Sequence, residues 1–120
     1  MMPYERFTAW QATHELAVAV YRMTRSFPRE ELYGLTSQMR RAAFSAAANN
    51  AEFRRYLDSA LGSLSELAYA IHLARELELL RSEEGQQLEE IRTRAGKMTW
   101  GLYQTVSRRA SGRSVRASTG

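Results

Sequence analysis

The sequence predicts an all-α protein folded as an antiparallel up-down-up-down four-helix bundle. Its 120 residues suffice for one domain with a single core, which buries roughly two thirds of the surface of the unfolded chain. Two prolines and seven glycines are few enough to allow long helices. Four segments carry apolar residues at alternating intervals of three and four, the pattern of a helix with one buried face. Such helices, joined by short connections, pack most simply with antiparallel neighbours.

Composition and the first residues narrow the possible classes of protein. The chain contains no cysteine, which excludes disulfides, thiolate metal sites and cysteine nucleophiles. Glu5 and Arg6 occur where a secretory signal would be apolar, and no segment approaches the roughly 18 apolar residues of a membrane span. We therefore expect a cytoplasmic protein without a membrane partner.

The first helix is predicted from about residue 5 to about residue 25. The residues that would form its apolar face are Ala9, Ala12, Leu16, Ala19, Val20 and Met23. Phe27-Pro28 ends the helix, because proline cannot continue the backbone hydrogen-bond ladder and restricts the residue before it. The segment from Pro28 to Gly34 then forms the first connection.

Residues 35–80 need a break, although they contain no proline and one glycine. As a single helix this segment would have about 46 residues, against an ordinary mean of about 11 or 12. We place the break at Asn49-Asn50, since asparagine tolerates left-handed backbone angles and suits a turn. The second helix then spans about residues 35–48 and the third about residues 52–80. Gly62 indicates close contact with a neighbouring helix, with a tolerated imperfection as the alternative.

The third and fourth helices have the clearest apolar pattern, and the fourth is predicted over about residues 83–106. Their seam residues are Phe53, Leu57, Ala60, Leu64, Leu67 and Ile71 in the third helix, and Leu88, Ile91, Ala95, Met98 and Leu102 in the fourth. Residues 107–120 lack periodicity and are expected to be a disordered basic tail. This tail holds four of the 17 basic residues and none of the 13 acids, so the bundle itself is neutral.

The residues that could carry chemistry do not converge. A diiron carboxylate bundle needs Glu-x-x-His pairs, but Gln11 precedes His14 and Tyr69 precedes His72 by three residues. His72 and Glu76 are spaced for a surface contact on one helix. The sequence contains no Gly-x-Ser-x-Gly elbow, phosphate loop or zinc motif. We therefore predict no catalytic residues, metal or cofactor, and no small-molecule substrate.

The basic residues suggest nucleic-acid binding. Two arginine pairs are expected near one end of the bundle, and unpaired arginines in the tail would gain from releasing counterions around a phosphate backbone. The candidate binding residues are Arg40, Arg41, Arg54, Arg55, Arg108, Arg109, Arg113 and Arg116. The alternatives are that the pairs are solvated or locally paired, and that the tail only improves solubility. A protein-interaction scaffold without a nucleic-acid role is the second functional hypothesis.

Two further predictions concern packing. The aromatic residues Trp10, Tyr21, Trp100 and Tyr103 lie near helical stripes, which favours core or subunit packing over base stacking. Arg41 and Glu66 are polar residues within the apolar runs of the second and third helices. We expect them to pair across the bundle, because an unpaired buried charge would be costly.

A series of sequence motifs along the chain resembles the pattern of a known family. These are Trp10-Gln11 with Leu16 and Tyr21, Phe27-Pro28 with the segment 30–42 (Glu-Glu-Leu-Tyr-Gly-Leu-Thr-Ser-Gln-Met-Arg-Arg-Ala), Ser45, Ala48 and Asn49, Glu52-Phe53 with Arg55-Tyr56-Leu57, and Ala60 with Gly62-Ser63-Leu64 and Glu66-Leu67. With this pattern, residues 7–106 resemble the four-helix-bundle proteins encoded within intervening sequences of bacterial 23S ribosomal RNA genes. The connection after Asn49-Asn50 is shorter than the family pattern by about ten residues.

The resemblance implies a homopentamer in which five bundles pack around a central axis. It implies no established enzymatic activity. The genomic association with ribosomal RNA, and the similar RNA-binding accessory proteins of diversity-generating retroelements, imply nucleic-acid binding, with RNA or DNA as the partner.

Overall fold

The computed structural model of the chain describes residues 4–52 and 56–119, with side chains as far as Ser111. Within these ranges the protein is all-α and has four α-helices: α1 (Tyr4–Met23), α2 (Leu35–Ala51), α3 (Leu57–Glu76) and α4 (Ser82–Thr119). Two short 3-10 turns, Thr24–Ser26 and Arg29–Glu31, lie between α1 and α2. The predicted fold class is confirmed. None of the described helices has the length and apolarity needed to cross a bilayer.

Each helix packs against two others, which closes a ring of α1, α2, α3 and α4. Arg6 near the start of α1 donates a hydrogen bond to the carbonyl of Ala51 at the end of α2. Arg40 near the start of α2 donates to the hydroxyl of Thr24, just after α1. The start of α1 therefore lies beside the end of α2, and the end of α1 beside the start of α2, so these two helices are antiparallel. This is consistent with the predicted up-down-up-down order.

The core is built from the apolar stripes that the sequence pattern defines. Its largest fully buried apolar side chains are Leu16, Val20, Met39, Leu64, Leu67, Ile71 and Leu88. Burial of one such side chain stabilises a fold by about 1.5–3 kcal/mol. On α2 the buried face consists largely of Ala42, Ala43 and Ala46. These small side chains let α2 approach its neighbours closely.

The break between the second and third helices lies later than predicted. Helix α2 continues through Asn49 and Asn50 and ends at Ala51, and α3 begins at Leu57. Asn50 is fully buried and its side-chain amide donates to the hydroxyl of Thr99 at 2.9 Å and to that of Thr13 at 3.4 Å. Its polar side chain therefore acts in the core rather than in a turn.

Gly62 does not mark a close contact within the chain, contrary to the main prediction. It is exposed, and a Cβ added there would meet nothing within 4 Å. The close approach occurs instead at buried Gly85, where an added Cβ would lie 2.9 Å from Cγ of Arg75. A glycine at this point of α4 lets the Arg75 side chain cross the helix surface.

The backbone of residues 107–119 continues α4, whereas composition predicts a tail without regular structure. Alanine and arginine are strong helix formers, and the segment contains no proline to stop a helix that is already nucleated. Ser107 to Ser111 are all exposed. We call residues 107–119 the α4 extension.

Candidate nucleic-acid interface

Arg40 is held within the bundle. It lies near the start of α2, and its Nε donates a hydrogen bond of 2.9 Å to Oγ1 of Thr24. Its guanidinium carbon lies 5.1 Å from the ring centroid of Tyr21, a cation–π geometry worth about 0.5–2 kcal/mol. Arg40 therefore links α2 to the end of α1. Its guanidinium is engaged in contacts within the bundle, with Thr24 and Tyr21.

Arg41 forms the predicted pair with Glu66. Its Nη2 lies 2.6 Å from Oε1 of Glu66 and donates a second hydrogen bond, of 2.9 Å, to Gln38. The pair is confirmed, but the reason given for it is wrong, since the two side chains are 58% and 48% exposed. An exposed pair of this kind contributes about 0–1 kcal/mol and neutralises the charge of Arg41.

Arg40 lies far from the end of α2 that precedes the second predicted arginine pair in the sequence. Eleven residue steps separate Arg40 from Ala51, about 16 Å along the helix. Arg54 and Arg55 follow this end in the sequence but lie outside the described residues. The structure therefore does not place Arg40 and Arg41 beside the connection that carries the second pair.

The α4 extension projects from that same end of the bundle. A small core cluster there joins Ala9 of α1, Leu57 of α3 and Leu102 of α4, so the bundle finishes close to residue 106. Arg108 and Arg109 lie just beyond it and are exposed. No carboxylate of the described residues forms an ion pair with either arginine. The side chains of Arg113 and Arg116 lie outside the described part, although their backbone is helical.

One face of α4 changes character where the bundle ends. Leu88, Ala95 and Leu102 are spaced by seven residues and are all buried. The same spacing continues to Arg109 and, in the sequence, to Arg116. A seven-residue spacing keeps positions on nearly the same side of a helix. The line of positions that is apolar inside the bundle is therefore occupied by arginine beyond it.

A second basic surface lies in the outer groove between α3 and α4. Part of this groove has a volume of about 430 Å³, and Arg92, Lys97 and Trp100 are among its lining residues. Trp100 stacks on Tyr103, with ring centroids 5.5 Å apart. The sequence prediction omitted Arg92 and Lys97 because neither belongs to an arginine pair. A signal for Arg92 was present in the sequence, because Arg92, Gly96, Trp100 and Tyr103 have the spacing of residues on one side of a helix. Lys97 precedes Trp100 by three residues, which also places the two near each other on a helix.

Two of the four aromatic side chains predicted to pack, Tyr21 and Trp100, are exposed in the isolated chain, and other aromatic side chains lie near Tyr21 on α1 and α2. On α1, Phe7 contacts Trp10 at 6.2 Å between centroids, and Trp10 stacks on His14 at 5.3 Å. Tyr21 lies further along α1, and Phe44 of α2 is 64% exposed, one turn after the arginine that covers Tyr21. We call these five residues the aromatic face.

The titratable groups of the bundle form local pairs. His72 lies 3.9 Å from Glu76, and both are exposed, so the predicted surface contact is confirmed. The acidic segment from Glu76 to Glu90 is partly neutralised by Arg75, which binds Glu89, and by Arg81, which lies 3.8 Å from Glu84. Within the described part of the chain, no group of three or more His, Asp or Glu residues is arranged to hold a metal ion.

Comparison with known proteins identifies a family for the chain. No curated protein matches the chain. The family model described as 23S rRNA-intervening sequence protein matches residues 5–101, from the start of α1 into the second half of α4, and leaves the α4 extension beyond the match. The match covers well over half of the sequence. The chain therefore belongs to the family of 23S rRNA-intervening sequence proteins.

Proposed function

We propose that this protein is a non-enzymatic, cytoplasmic RNA-binding protein that contacts the phosphate backbone through the arginines of the α4 extension. The observation that carries the proposal is the change along one face of α4 from buried Leu88, Ala95 and Leu102 to Arg109. If apolar residues continued at these positions, this face of α4 would favour packing against another helix. Arginine favours an anionic partner instead, and its guanidinium group matches the geometry of a phosphate bidentately.

The pairing of several other cations supports the same conclusion. Within the bundle, Arg41, Arg75, Arg81 and Arg94 each have a carboxylate within 4 Å. Binding a phosphate would cost each of them that partner. The extension holds four arginines and no acid, so its charge is available to displace condensed counterions.

The position of the extension adds to its reach. The end of α2 and the start of α3 lie at the end of the bundle from which the extension projects, and Arg54 and Arg55 fall between them in the sequence. A helix rises 1.5 Å per residue, so 13 further residues extend α4 by about 20 Å. An extended polyanion could therefore contact several arginines at once.

Salt-dependent binding tests this proposal. Fluorescence anisotropy with a labelled single-stranded RNA would compare the full chain with a variant in which Arg108, Arg109, Arg113 and Arg116 are replaced by Gln. Each phosphate contact contributes about 0.7 to the slope of log affinity against log salt, so we expect the slope to fall by up to about 3.

The matched control removes charge from the opposite end of the bundle. Arg22→Gln/Arg25→Gln replaces two exposed arginines there, and it should leave the slope unchanged. The corresponding pair at the extension, Arg108→Gln/Arg109→Gln, should lower it by about 1.4. Equal slopes for the two pairs, or no RNA binding by the full chain at about 50 mM salt, would contradict the proposal.

A second candidate function is a protein-interaction scaffold assembled as a homopentamer. The aromatic face favours it, because clustered exposed aromatic side chains on a folded chain mark sites of association. Assembly by itself is compatible with the first candidate, since five copies of the α4 extension on one assembly would bind a polyanion with greater avidity than one.

A further inference from the structure

The outer groove between α3 and α4 contains features of a nucleic-acid site that the α4 extension lacks. Half-buried Leu61 of α3 provides apolar surface, and Arg92, Lys97 and Trp100 come from α4. Of the described residues that line this part of the groove, none is acidic. It therefore combines positive charge with an aromatic ring in an open groove.

The Trp100 side chain is exposed, but its orientation is fixed by a neighbouring ring. Half of its surface remains accessible, while its indole stacks on Tyr103 with an angle of 20° between the ring planes. An aromatic ring held by a neighbouring ring is preorganised, so stacking a ligand on it costs little conformational entropy. Nucleic-acid bases stack on such rings without dependence on sequence.

Two cations lie on the same helix near this ring. Lys97 is three residues before Trp100, and Arg92 is eight before it, about 12 Å along the axis. Neither forms an ion pair with a described carboxylate. The Arg92 side chain lies beside Gly96, where an added Cβ would be in van der Waals contact with its Nη1, at 3.4 Å. The groove thus offers unneutralised donors beside the stacked rings.

The acids of the groove lie toward the start of α4. Glu89 and Glu90 line the neighbouring part of the groove, whose volume is about 740 Å³ and which Arg92, Arg94 and Lys97 also line. Arg75 binds Glu89, and Glu90 accepts a hydrogen bond of 3.4 Å from Gln86. The Trp100 part shares Arg92 and Lys97 with this neighbouring part but has no acid among its described lining residues, so an anionic ligand is favoured there.

We propose that this part of the groove binds single-stranded RNA, with a base stacked on Trp100 and the adjoining phosphate held by Arg92 and Lys97. The proposal rests on the proposed function and specifies the form of RNA recognised. A paired base presents its faces to its neighbours in the duplex and cannot stack on a side chain, whereas an unpaired base can. The α4 extension would then supply sequence-independent attraction and the groove would select single strands.

Tryptophan fluorescence tests the stacking contact directly. The Trp10→Phe variant leaves Trp100 as the single tryptophan, and an unlabelled oligouridylate should quench its emission with the same Kd that anisotropy gives. The reciprocal variant, Trp100→Phe, leaves Trp10, whose emission should not change. Quenching of Trp10 alone would overturn the proposal.

Affinity measurements separate this site from the extension. We expect Trp100→Ala to weaken binding of single-stranded RNA roughly tenfold, and Trp100→Phe to retain most of the affinity because phenylalanine also stacks. Tyr69→Ala, which removes another exposed aromatic side chain, is the control and should have no effect. Binding of an RNA duplex should be the same for all three variants, and circular dichroism should show the same helix content.

The outcomes distinguish the two proposals. If RNA binds with a steep salt dependence that the extension arginines govern, while Trp100→Ala has no effect, the groove proposal is wrong and the proposed function stands. If no RNA binds at low salt, both are wrong. Quenching of Trp100 by oligoglutamate but not by RNA would assign the groove to an acidic peptide and overturn the groove proposal.

Discussion

At the scale of single residues, Asn50 is the polar centre of the core. Its amide reaches Thr13 of α1 and Thr99 of α4, so three helices meet at one side chain. Both hydroxyls already donate to carbonyls of their own helices, at Ala9 and Ala95, and can accept from the amide. Oδ1 of Asn50 has no hydrogen-bond partner among the described residues, which offsets part of the gain.

We expect Asn50→Ala to lower the free energy of unfolding by about 1–3 kcal/mol, because it removes two hydrogen bonds and leaves a cavity. The neighbouring Asn49 provides the control. It is partly exposed and donates one hydrogen bond to Ser45, so Asn49→Ala should cost less than about 1 kcal/mol. Urea unfolding measures both values. Equal losses would show that the buried amide contributes nothing beyond helix propensity.

The two asparagines also show what a sequence can predict about a residue. Asparagine suits a turn, and that preference placed a break at residues 49 and 50. Yet Asn50 lies four residues after Ala46 and seven after Ala43, on the buried stripe of α2. The helical spacing of the buried residues thus predicts that Asn50 belongs to α2, and in the folded chain this spacing outweighs the local preference of asparagine for turns. The predicted pairing of Arg41 with Glu66 is correct, although it was argued from burial and both side chains are about half exposed.

At the scale of elements, the end of α3 illustrates a boundary that composition hides. The helix ends at Glu76, although the apolar pattern continues to Leu80. The amide of Leu79 donates to the carbonyl of Ala74, and that of Glu78 to the carbonyl of Arg75. These two hydrogen bonds form a Schellman motif, in which the residue at the position of Glu78 adopts a left-handed conformation. Glu78 indeed has a φ of 57°.

Glycine is the usual residue at such a position, because a Cβ is disfavoured there by about 1–2 kcal/mol. We therefore expect Glu78→Gly to raise the free energy of unfolding by about 1 kcal/mol. Glu76→Gly, two residues earlier in the last helical turn, should lower it by up to about 1 kcal/mol. Thermal unfolding followed by circular dichroism compares the two variants. A loss of stability in both would contradict the left-handed assignment.

Helix ends were less predictable than helices for a physical reason. The stripe on α4 identified the helix, but its last residue depends on whether solvent-exposed arginine and serine keep a helical backbone, which apolar periodicity cannot report. The candidate site shows the same limit. Arg108 and Arg109 were found because charge is a property of composition. Arg92, Lys97 and Trp100 come together with Leu61 only through the packing of α3 against α4.

At the scale of the whole molecule, the surface divides by charge and polarity. Arginines project from one end on the α4 extension, while the acidic segment from Glu76 to Glu90 lies where α3 ends and α4 begins. The aromatic face lies along α1 and α2, and the groove that contains Trp100 lies between α3 and α4. Self-association through the aromatic face would leave both basic surfaces open to RNA.

This arrangement predicts that assembly and RNA binding can be separated by one substitution. Five chains of 13.7 kDa give an assembly of about 68 kDa, which sedimentation equilibrium would measure. Phe44→Glu places a charge in the aromatic face, where burial against another copy would be costly, and should shift the protein toward the monomer. Tyr33→Glu, at a side chain that is 94% exposed in the first connection, is the matched control and should leave the mass unchanged. A monomeric wild-type chain, or an assembly that Phe44→Glu does not weaken, would show that the aromatic face has another role.

The Phe44→Glu monomer should still bind RNA with the salt dependence of a single chain, because its arginines are untouched. Its affinity should be lower than that of the assembly, since avidity is lost.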